Sequence, residues 1–290
     1  MLFSSFCVDT YAAWHRALSP RKWPPCAGTS SVSCHRIKHH DHWQGLVNLI
    51  PGRNTVRVNI HKSGTRGKAD LGWLNSRHTY SFSLYHDPDR MGFGKLRVIN
   101  DDLVRPSMGF GTHPHNNMEI VSIPLKGSLR HKDSMGNTHI IRAGEVQIMS
   151  AGTGIQHSEY NNSDTDDVNF LQIWILPKLQ DVSPRYEQKQ FDPDARWNKL
   201  QLLVSPSGKN NSIQINQDVF MSLVNLEAHT LKYVPQDLAN GVYVFVISGA
   251  ISINGLKLGE RDGAEVSEAT TIIVLAEKTA ELLFIETPIG

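Results

Sequence analysis

The residues with the clearest capacity for chemistry are two pairs of potential metal ligands, each pair separated by a single residue. His113 and His115 flank Pro114, and His157 and Glu159 show the same spacing. In an extended strand, side chains two positions apart leave the same face, and their Cα atoms lie about 6.6 Å apart. Each pair can therefore direct two ligand atoms at one ion. Pro114 has no N–H to donate, which predicts an edge strand or a bulge at this point.

Three imidazoles and one carboxylate form a donor set that suits iron, manganese, cobalt, nickel, copper or zinc. If the carboxylate binds through one oxygen, an octahedral ion keeps two open positions, which allows catalysis. A lone His-x-His motif is often a chance feature of a surface strand. A second pair with the same spacing makes coincidence less expected, but spacing alone leaves both interpretations open. His39, His40 and His42 could also chelate a metal, and we interpret them as incidental.

Short β-rich segments, separated by Gly, Asn and Pro, must position these pairs. Residues 56–60 alternate between apolar and polar side chains, as a half-buried strand does. Further strands are predicted at 120–125, 128–131, 139–142, 145–149 and 169–176. Residues 133–137 form a turn cluster between two of them. Such even spacing of short strands predicts an antiparallel sandwich or a closed barrel.

The same rhythm resumes in the C-terminal part of the chain, with strands predicted at 201–204, 241–247, 250–253, 271–275 and 281–285. A strand–Gly–strand pattern around Gly249 echoes the one around Gly127, which predicts two related barrels. Residues 177–199 are polar and contain three prolines, so we interpret them as a linker or a strap over the surface. No histidine occurs between residues 241 and 288, and His229 stands alone, so no metal site is expected in this part.

The first 53 residues differ from the rest in charge and composition. They carry six Lys or Arg against two Asp, a net charge of +4, which leaves −3 for residues 54–290 in a chain of net charge +1. All three cysteines, Cys7, Cys26 and Cys34, lie in this segment, so the remainder has no disulfide framework and an intracellular location is expected. Residues 1–53 lack sustained periodicity and predict a disordered or targeting-like extension. An untargeted extension, or a start codon placed too far upstream, is favoured over a transit peptide.

Two classes of partner are excluded by bulk properties. A net charge of +1 gives no electrostatic basis for binding nucleic acid or a membrane surface. No apolar run approaches the roughly 18 residues of a membrane-spanning helix. A soluble, cytoplasmic protein is expected, and the nucleus or an organelle would apply only if residues 1–53 act as a targeting signal.

One continuous segment, residues 109–162, contains both ligand pairs and reads GFGTHPHNNMEIVSIPLKGSLRHKDSMGNTHIIRAGEVQIMSAGTGIQHSEYNN. It resembles the pirin family of bicupins, and especially the bacterial-type members with quercetin 2,3-dioxygenase activity. The likeness extends to residues 71–76, 78–82, 91–93, 96–102, 172–175 and 184–188. It covers most of residues 55–290 and is densest in the first half, whereas residues 1–53 have no counterpart.

The resemblance implies an all-β bicupin with two antiparallel β-barrels (double-stranded β-helices) in one chain. It implies a metal-binding N-terminal cupin at 54–176, the linker or strap at 177–199, and a C-terminal cupin without a metal site at 200–290. In the family, one divalent metal is held by three histidines and a glutamate, at positions that match His113, His115, His157 and Glu159. Fe(II) is accordingly the expected ion, and the other metals named above remain compatible with the donors.

Other residues of these motifs are expected to support the site. Glu119 is expected to be structural rather than a ligand, because the resemblance assigns the carboxylate ligand to Glu159. Gly152 and Gly154 are expected to make the tight turn that aims His157 inward. Structural or surface roles are expected for three further histidines, His78, His131 and His139.

The resemblance implies an enzyme that binds a flavonol such as quercetin through its 3-hydroxyl oxygen. Reaction with O₂ would open the ring across C2–C3 and release carbon monoxide, with the ion as Lewis acid and Glu159 as general base. Phe93, Phe110, Met118 and Met149 are candidates either for an apolar pocket or for ordinary core. The alternative is a non-catalytic, iron-binding pirin that acts with a regulatory protein partner as a redox-sensitive transcription cofactor. We favour the enzyme because the chain is closer to the bacterial-type branch.

Overall fold

A computed structural model describes residues 56–290 of the chain. Twelve strands lie between residues 57 and 190: β1 Arg57–His61, β2 Gly67–Asp70, β3 Leu74–His78, β4 Leu96–Val104, β5 Gly109–His115, β6 Glu119–Lys126, β7 Ser128–Asp133, β8 Thr138–Arg142, β9 Glu145–Ser150, β10 Ile155–Asn161, β11 Val168–Ile175 and β12 Arg185–Gln190. Ten follow: β13 Gln201–Ser205, β14 Ile213–Gln214, β15 Phe220–Leu226, β16 Thr230–Tyr233, β17 Asn240–Ser248, β18 Ile251–Ile253, β19 Leu256–Leu258, β20 Gly263–Ser267, β21 Ile272–Ala276 and β22 Ala280–Pro288. Short 3-10 helices occur at Ser63–Thr65, Pro193–Arg196 and Lys209–Asn211. Each strand predicted from the sequence is present with slightly shifted ends.

The strands form two sheets in each half of the described chain. In the first half, a seven-stranded sheet of order β12-β9-β6-β11-β4-β3-β2 accompanies a four-stranded sheet of order β5-β10-β7-β8. The second half repeats this plan with β1-β20-β17-β22-β15-β13-β14 and β16-β21-β18-β19. The all-β bicupin prediction is confirmed, but the halves are cupin-like sandwiches rather than closed barrels. Among the strands of residues 56–290, no edge strand of a large sheet pairs with an edge strand of its small sheet.

The similar sequence patterns around Gly127 and Gly249 correspond to the same connection in each half, from a strand of the large sheet to a strand of the small sheet. Gly127 joins β6 of one large sheet to β7 of its small sheet, and Gly249 joins β17 to β18 in the same way. The φ angles of these glycines are +78° and +82°, a conformation that side chains disfavour. An added Cβ would press on the carbonyl oxygen of Asp167 at Gly127 and on that of Thr279 at Gly249. The matching geometry supports the predicted relation between the halves.

Two strands pair with parts of the fold that the sequence did not predict for them. Strand β1 pairs with β20 of the second half, with Arg57 opposite Ser267 and His61 opposite Gly263. Strand β12, inside the segment interpreted as a strap, pairs with β9 and forms an edge of the first large sheet. Each strand adds its backbone hydrogen bonds to an edge that would otherwise be unpaired.

Apolar cores fill the second half and the space between the two large sheets. The core between the halves takes residues from both large sheets, including Val121, Ile173 and Phe245. The second half encloses its own core, which includes Val244 and Phe284. The first half contains only two smaller apolar clusters, and the rest of its interior is polar.

The extension predicted at residues 1–53 lies outside the described residues, and so do its cysteines and the histidines at 39–42. Within residues 56–290, no helix is long and apolar enough to cross a membrane. The cellular location stays a prediction.

Candidate metal centre

Strands β5 and β10 place the two predicted ligand pairs side by side. In this antiparallel pair His157 lies opposite His113, and after a register shift Glu159 lies opposite Phe110. Gly111 and Thr112 of β5 thus lie opposite the single residue Ser158 of β10, which defines a β-bulge on β5. Because β5 is the edge strand of the small sheet, it accommodates Pro114, as the sequence predicted.

The three predicted histidine ligands converge. His113, His115 and His157 each offer a ring nitrogen, and these nitrogens lie within 4.8 Å of one another. The ring centroids are 4.4 Å apart for His113 and His157, and 4.9 Å apart for each of the other two pairs. His115 and His157 are buried, whereas His113 is half-buried. His113 therefore marks the side of the cluster that solvent reaches.

Several ring nitrogens of this cluster have no hydrogen-bond partner and are therefore available to bind a metal. Nδ1 of His113 is 2.7 Å from the carbonyl oxygen of Gly111. Since a carbonyl only accepts, the proton is on Nδ1 and the lone pair is on Nε2. Nδ1 of His115 and both ring nitrogens of His157 are buried without a hydrogen-bond partner. Buried polar atoms are rarely left unpaired, so these nitrogens have the character of ligand atoms.

Burial keeps the imidazoles of His115 and His157 neutral. It lowers the pKa of His115 to about 3, with a further contribution from the charge of His113. Burial also lowers the pKa of His157 well below its ordinary value, and the neighbouring histidines add to the shift. A neutral imidazole carries the lone pair that a metal requires. Both side chains therefore remain able to bind a metal at neutral and mildly acidic pH.

Glu159 is held from the large sheet by two polar side chains. Its Oε2 accepts a hydrogen bond from Nε2 of Gln172 at 2.7 Å, and its Oε1 accepts one from Oγ of Ser122 at 3.0 Å. Oγ of Ser122 also lies 2.9 Å from Oε1 of Gln172. Glu159 is only 2% exposed, so these bonds rather than water set its orientation. No spacing pattern pointed to Gln172 or Ser122, because neither has a second potential ligand two positions away on its strand.

The donor atoms fall into two groups that share His157. In the second group, atoms of His131, His157 and Glu159 lie within 4.8 Å of one another. The carboxylate of Glu159 therefore lies close to His131 as well as to His157. The role of the four predicted residues as one ligand set stays a prediction.

His131 lies inside this cluster rather than on the surface. It sits on β7 directly opposite Glu159, is fully buried, and has its Nε2 3.1 Å from Oδ2 of Asp133. Its partner in the sequence, Asp133, follows at the i+2 spacing that revealed the other pairs, so a signal was present. Of the other two histidines expected to be structural or on the surface, His78 is buried and hydrogen-bonded and His139 is exposed.

Glu119 points away from the cluster. Side chains alternate along β6. Because Ser122 faces Glu159, Glu119 faces the second half. There its Oε2 accepts hydrogen bonds from Oγ of Ser150 at 2.8 Å and from the backbone N–H of Asn216 at 3.2 Å. Burial raises the pKa of Glu119, and these hydrogen bonds oppose the rise. The geometry agrees with a structural role that links the two halves.

A tight turn sets the start of β10, as predicted. Gly152 and Gly154 have φ angles of +47° and +138°, and the N–H of Gly154 donates to the carbonyl of Ala151 at 2.9 Å. An added Cβ at Gly152 would overlap the carbonyl oxygen of Val182. Only glycine fits this position without displacing the backbone, and the turn thereby fixes the approach of His157.

An apolar surface lies beside His115. The indole ring of Trp174 meets the imidazole of His115 edge-on, with centroids 4.9 Å apart, and packs on an apolar cluster of this half. The four residues predicted to line a pocket or the core divide between this cluster (Met118 and Met149), a second cluster of the same half (Phe110) and the core between the halves (Phe93). Met118 and Met149 thus share the cluster of Trp174 beside His115, and Phe110 lies opposite Glu159 in the β5–β10 ladder.

The interior of the first half is polar where that of the second half is apolar. Buried polar side chains occupy paired positions across the large sheet of the first half, at Ser76, Asn100, Asp102, Ser122, Gln147 and Gln172. The second half instead encloses an apolar core. Both donor groups found within residues 56–290 lie in the first half. In the second half His229 is exposed, while Glu265 accepts hydrogen bonds from Asn59 and Tyr80.

Comparison with known proteins agrees with this arrangement. Residues 59–175 match the family model described as Pirin, and residues 202–287 match the one described as Quercetinase C-terminal cupin domain. A quercetin 2,3-dioxygenase of Escherichia coli K12 is 42% identical over 234 residues, which cover 80% of this chain and 99% of that protein. The chain belongs to the pirin family. The resemblance seen in the sequence motifs is thereby confirmed.

Other pirins share the fold across nearly their whole length. The bacterial pirin YhhW of Escherichia coli, in complex with nickel(II), superposes on this pirin with a TM-score of 0.77 at 40% identity. The match covers 80% of this chain and 100% of YhhW. A pirin-like protein of Caulobacter vibrioides is 37% identical over 76% of this chain and 95% of its own.

Proposed function

We propose that this pirin is a metal-dependent dioxygenase that opens the ring of a flavonol such as quercetin with O₂ and releases carbon monoxide. The observation that carries the proposal is the cluster of three imidazoles, two of which have buried ring nitrogens without a hydrogen-bond partner, together with the buried carboxylate of Glu159 close to His157. A divalent metal would be held by His113, His115, His157 and Glu159. Fe(II) is the ion implied by the family, and the nickel(II) complex of YhhW supports a divalent ion.

The residues around the metal donors have different roles in the proposed reaction. When bound, the metal supplies Lewis acidity toward the 3-hydroxyl oxygen of the flavonol. Glu159 accepts the proton of that hydroxyl, while Gln172 and Ser122 hold the carboxylate in place. The indole of Trp174 and the neighbouring Met118 offer an apolar surface for a planar aromatic ring.

The proposed reaction is balanced without a further reductant. Both atoms of O₂ enter the organic product, a depside. The C2–C3 and C3–C4 bonds of the flavonol break, and C3 leaves with its own oxygen as carbon monoxide. The Escherichia coli relative named quercetin 2,3-dioxygenase, at 42% identity, supports this substrate class.

The test is anaerobic reconstitution with Fe(II), followed by quercetin and then oxygen. Carbon monoxide release is measured for the wild type and for Glu159→Ala and His115→Ala. We expect at least a 100-fold loss of turnover in both variants, because one lacks the base and the other a donor. His139→Ala, which changes an exposed histidine outside both donor groups, is the matched control and is expected to retain turnover.

The alternative function, a redox-sensitive transcription cofactor with a protein partner, predicts a different outcome. Such a protein would bind one metal per chain and release no carbon monoxide from quercetin. Full metal occupancy without turnover would therefore overturn the enzyme proposal.

A further inference from the structure

The proposed mechanism leaves one buried group of the cluster without a role. His131 stands with His157 and Glu159 in a set of donors within 4.8 Å of one another. This set shares only His157 with the group of His113 and His115. Two imidazoles and one carboxylate form the donor set of 2-His-1-carboxylate centres, which hold iron(II) with open positions.

His131 is held in the orientation of a ligand. Its Nε2 is 3.1 Å from Oδ2 of Asp133. That carboxylate is itself fixed, because it accepts hydrogen bonds from the backbone N–H groups of Met135 and Asn137 and from the Asn137 side chain. Metal-binding histidines generally donate their second ring N–H to a carboxylate or carbonyl in this way.

The other ring nitrogen of His131 is free. Since the Asp133 carboxylate already accepts several N–H groups, the proton of the imidazole resides on Nε2, which leaves the lone pair on Nδ1. Nδ1 of His131 is buried without a hydrogen-bond partner, in a side chain with no exposed surface. Because β7 and β10 pair directly, His131 and Glu159 share one face of the small sheet.

We propose that His131 is a metal donor, and that with His157 and Glu159 it forms an inner position for a divalent cation beside the position of the other histidines. The inner position rests on the proposed function in one respect, because His157 and Glu159 serve both. It adds a fifth donor to the centre. It also gives a role to the approach of Glu159 to His131, whose donor atoms lie within 4.8 Å of each other.

The experiment measures nickel(II) binding by equilibrium dialysis and metal analysis on the full chain. In every sample the five histidines of residues 1–53, His15, His35, His39, His40 and His42, are changed to Ser, because they could bind nickel themselves. The double variant His113→Ala/His115→Ala removes two donors of the outer group and leaves the inner set intact. We expect it to retain about one nickel per chain, with weaker affinity than the wild type.

The decisive comparison adds one substitution to that double variant. His131→Ala is expected to weaken the remaining nickel affinity at least 10-fold. His139→Ala, on the strand next to β7 and opposite His131 in register, is the control and should leave it unchanged. Circular dichroism confirms the fold of each variant. If the double variant does not fold, the single His113→Ala background gives the same comparison, since His113 is half-buried on an edge strand.

The outcomes separate the inner position from the proposed function. A wild type that binds nickel, with a folded double variant that binds none, overturns the inner position alone. Residual binding that is equally strong with and without His131 overturns it as well. A wild type that binds no divalent metal overturns both the inner position and the metal-dependent dioxygenase.

Discussion

The orientation of Glu159 depends on side chains that are not themselves metal ligands. Both oxygens of its carboxylate accept hydrogen bonds from the large sheet, Oε2 from Gln172 and Oε1 from Ser122. A carboxylate on a strand can rotate about its side-chain bonds, and these two contacts remove that freedom. Such supporting partners commonly change metal affinity or activity 10–100-fold when they are lost.

Gln172→Leu is therefore expected to weaken metal binding and flavonol turnover about 10–100-fold, because the 2.7 Å bond to Glu159 is lost. The matched control is Gln147→Leu. Gln147 is a buried amide opposite Ser122 with neither end hydrogen-bonded, so its replacement should cost little. Fe(II) affinity is measured by competition with a chromophoric chelator. An equal loss in both variants would mean that packing, and not the bond to Glu159, was disturbed.

The residues of the site differ in how far the sequence could predict them. His113, His115, His157 and Glu159 were accessible because i/i+2 spacing on a strand places two side chains on one face. The same spacing occurs in His131-x-Asp133, although the sequence analysis predicts only a structural or surface role for His131. Two other residues of the site, Gln172 and Ser122, were not predictable, since only the register between β6 and β11 brings them opposite one another.

At the scale of elements, the turn before β10 carries a steric constraint that can be tested. Gly152→Ala places a side chain at φ +47° against the carbonyl oxygen of Val182. We expect a loss of about 3 kcal/mol in the free energy of unfolding, from backbone strain together with overpacking. Metal affinity should fall too, because the turn sets the approach of His157.

The control for this turn is Gly255→Ala in the second half. Gly255 has a similar demand for positive φ, +87°, but an added Cβ there meets nothing within 4 Å. It should lose only about 1 kcal/mol and keep wild-type metal affinity. Chemical denaturation measures the first quantity and chelator competition the second. Equal losses of stability at the two glycines would show that the contact with Val182 is unimportant.

Strand β1 precedes the first half in the sequence but is predicted to stabilise the second half, with which it pairs. Val58 of β1 packs in the core of the second half, and β1 covers the edge of β20. A chain lacking residues 1–62 should therefore melt at least about 5 °C below a chain lacking residues 1–55, since it loses a buried side chain and a strand ladder. Differential scanning calorimetry of both truncations decides this. Identical melting temperatures would show that β1 is dispensable.

Pairings between strands that are distant in the sequence were not predictable, although the strands themselves were. Strands and turns were predictable from local alternation and from residues such as Gly127 and Gly249. The pairing of β1 with β20 joins residues that are more than 200 positions apart, and no local pattern encodes it. The same holds for β12, whose charged and polar residues were typical of an exposed strap, although the strand forms an edge of the first large sheet.

At the scale of the whole molecule, the two halves share one arrangement of sheets but differ in the polarity of their interiors. The second half is filled by an apolar core, and its large sheet packs on that of the first half through the core they share. The first half keeps polar groups inside, where a metal and a substrate would be held. This division agrees with one half that performs the chemistry and another that supports it.

Between the halves lies a buried histidine that links stability to pH. His61 of β1 is 3% exposed, and its ring packs on Tyr80 and Tyr243. Burial lowers its pKa to about 4, with contributions from Arg90 and Arg66 that outweigh an opposing one from Asp87. Glu265 lies 3.5 Å from Nε2, and burial raises the pKa of that carboxyl.

The sign of the effect follows from where the proton binds. In the unfolded chain His61 has an ordinary pKa of 6.5, so between pH 6.5 and about 4 the unfolded state binds the proton and the folded state does not. The free energy of unfolding should therefore fall as the pH falls through this window, by about 2 kcal/mol between pH 7 and pH 5 from His61 alone.

His61→Phe cannot be protonated and should lose this part of the pH dependence, whereas His229→Phe, at an exposed site, should keep it. Urea denaturation at pH 7 and pH 5 measures the difference, and parallel losses in all three proteins would show that His61 does not couple folding to pH.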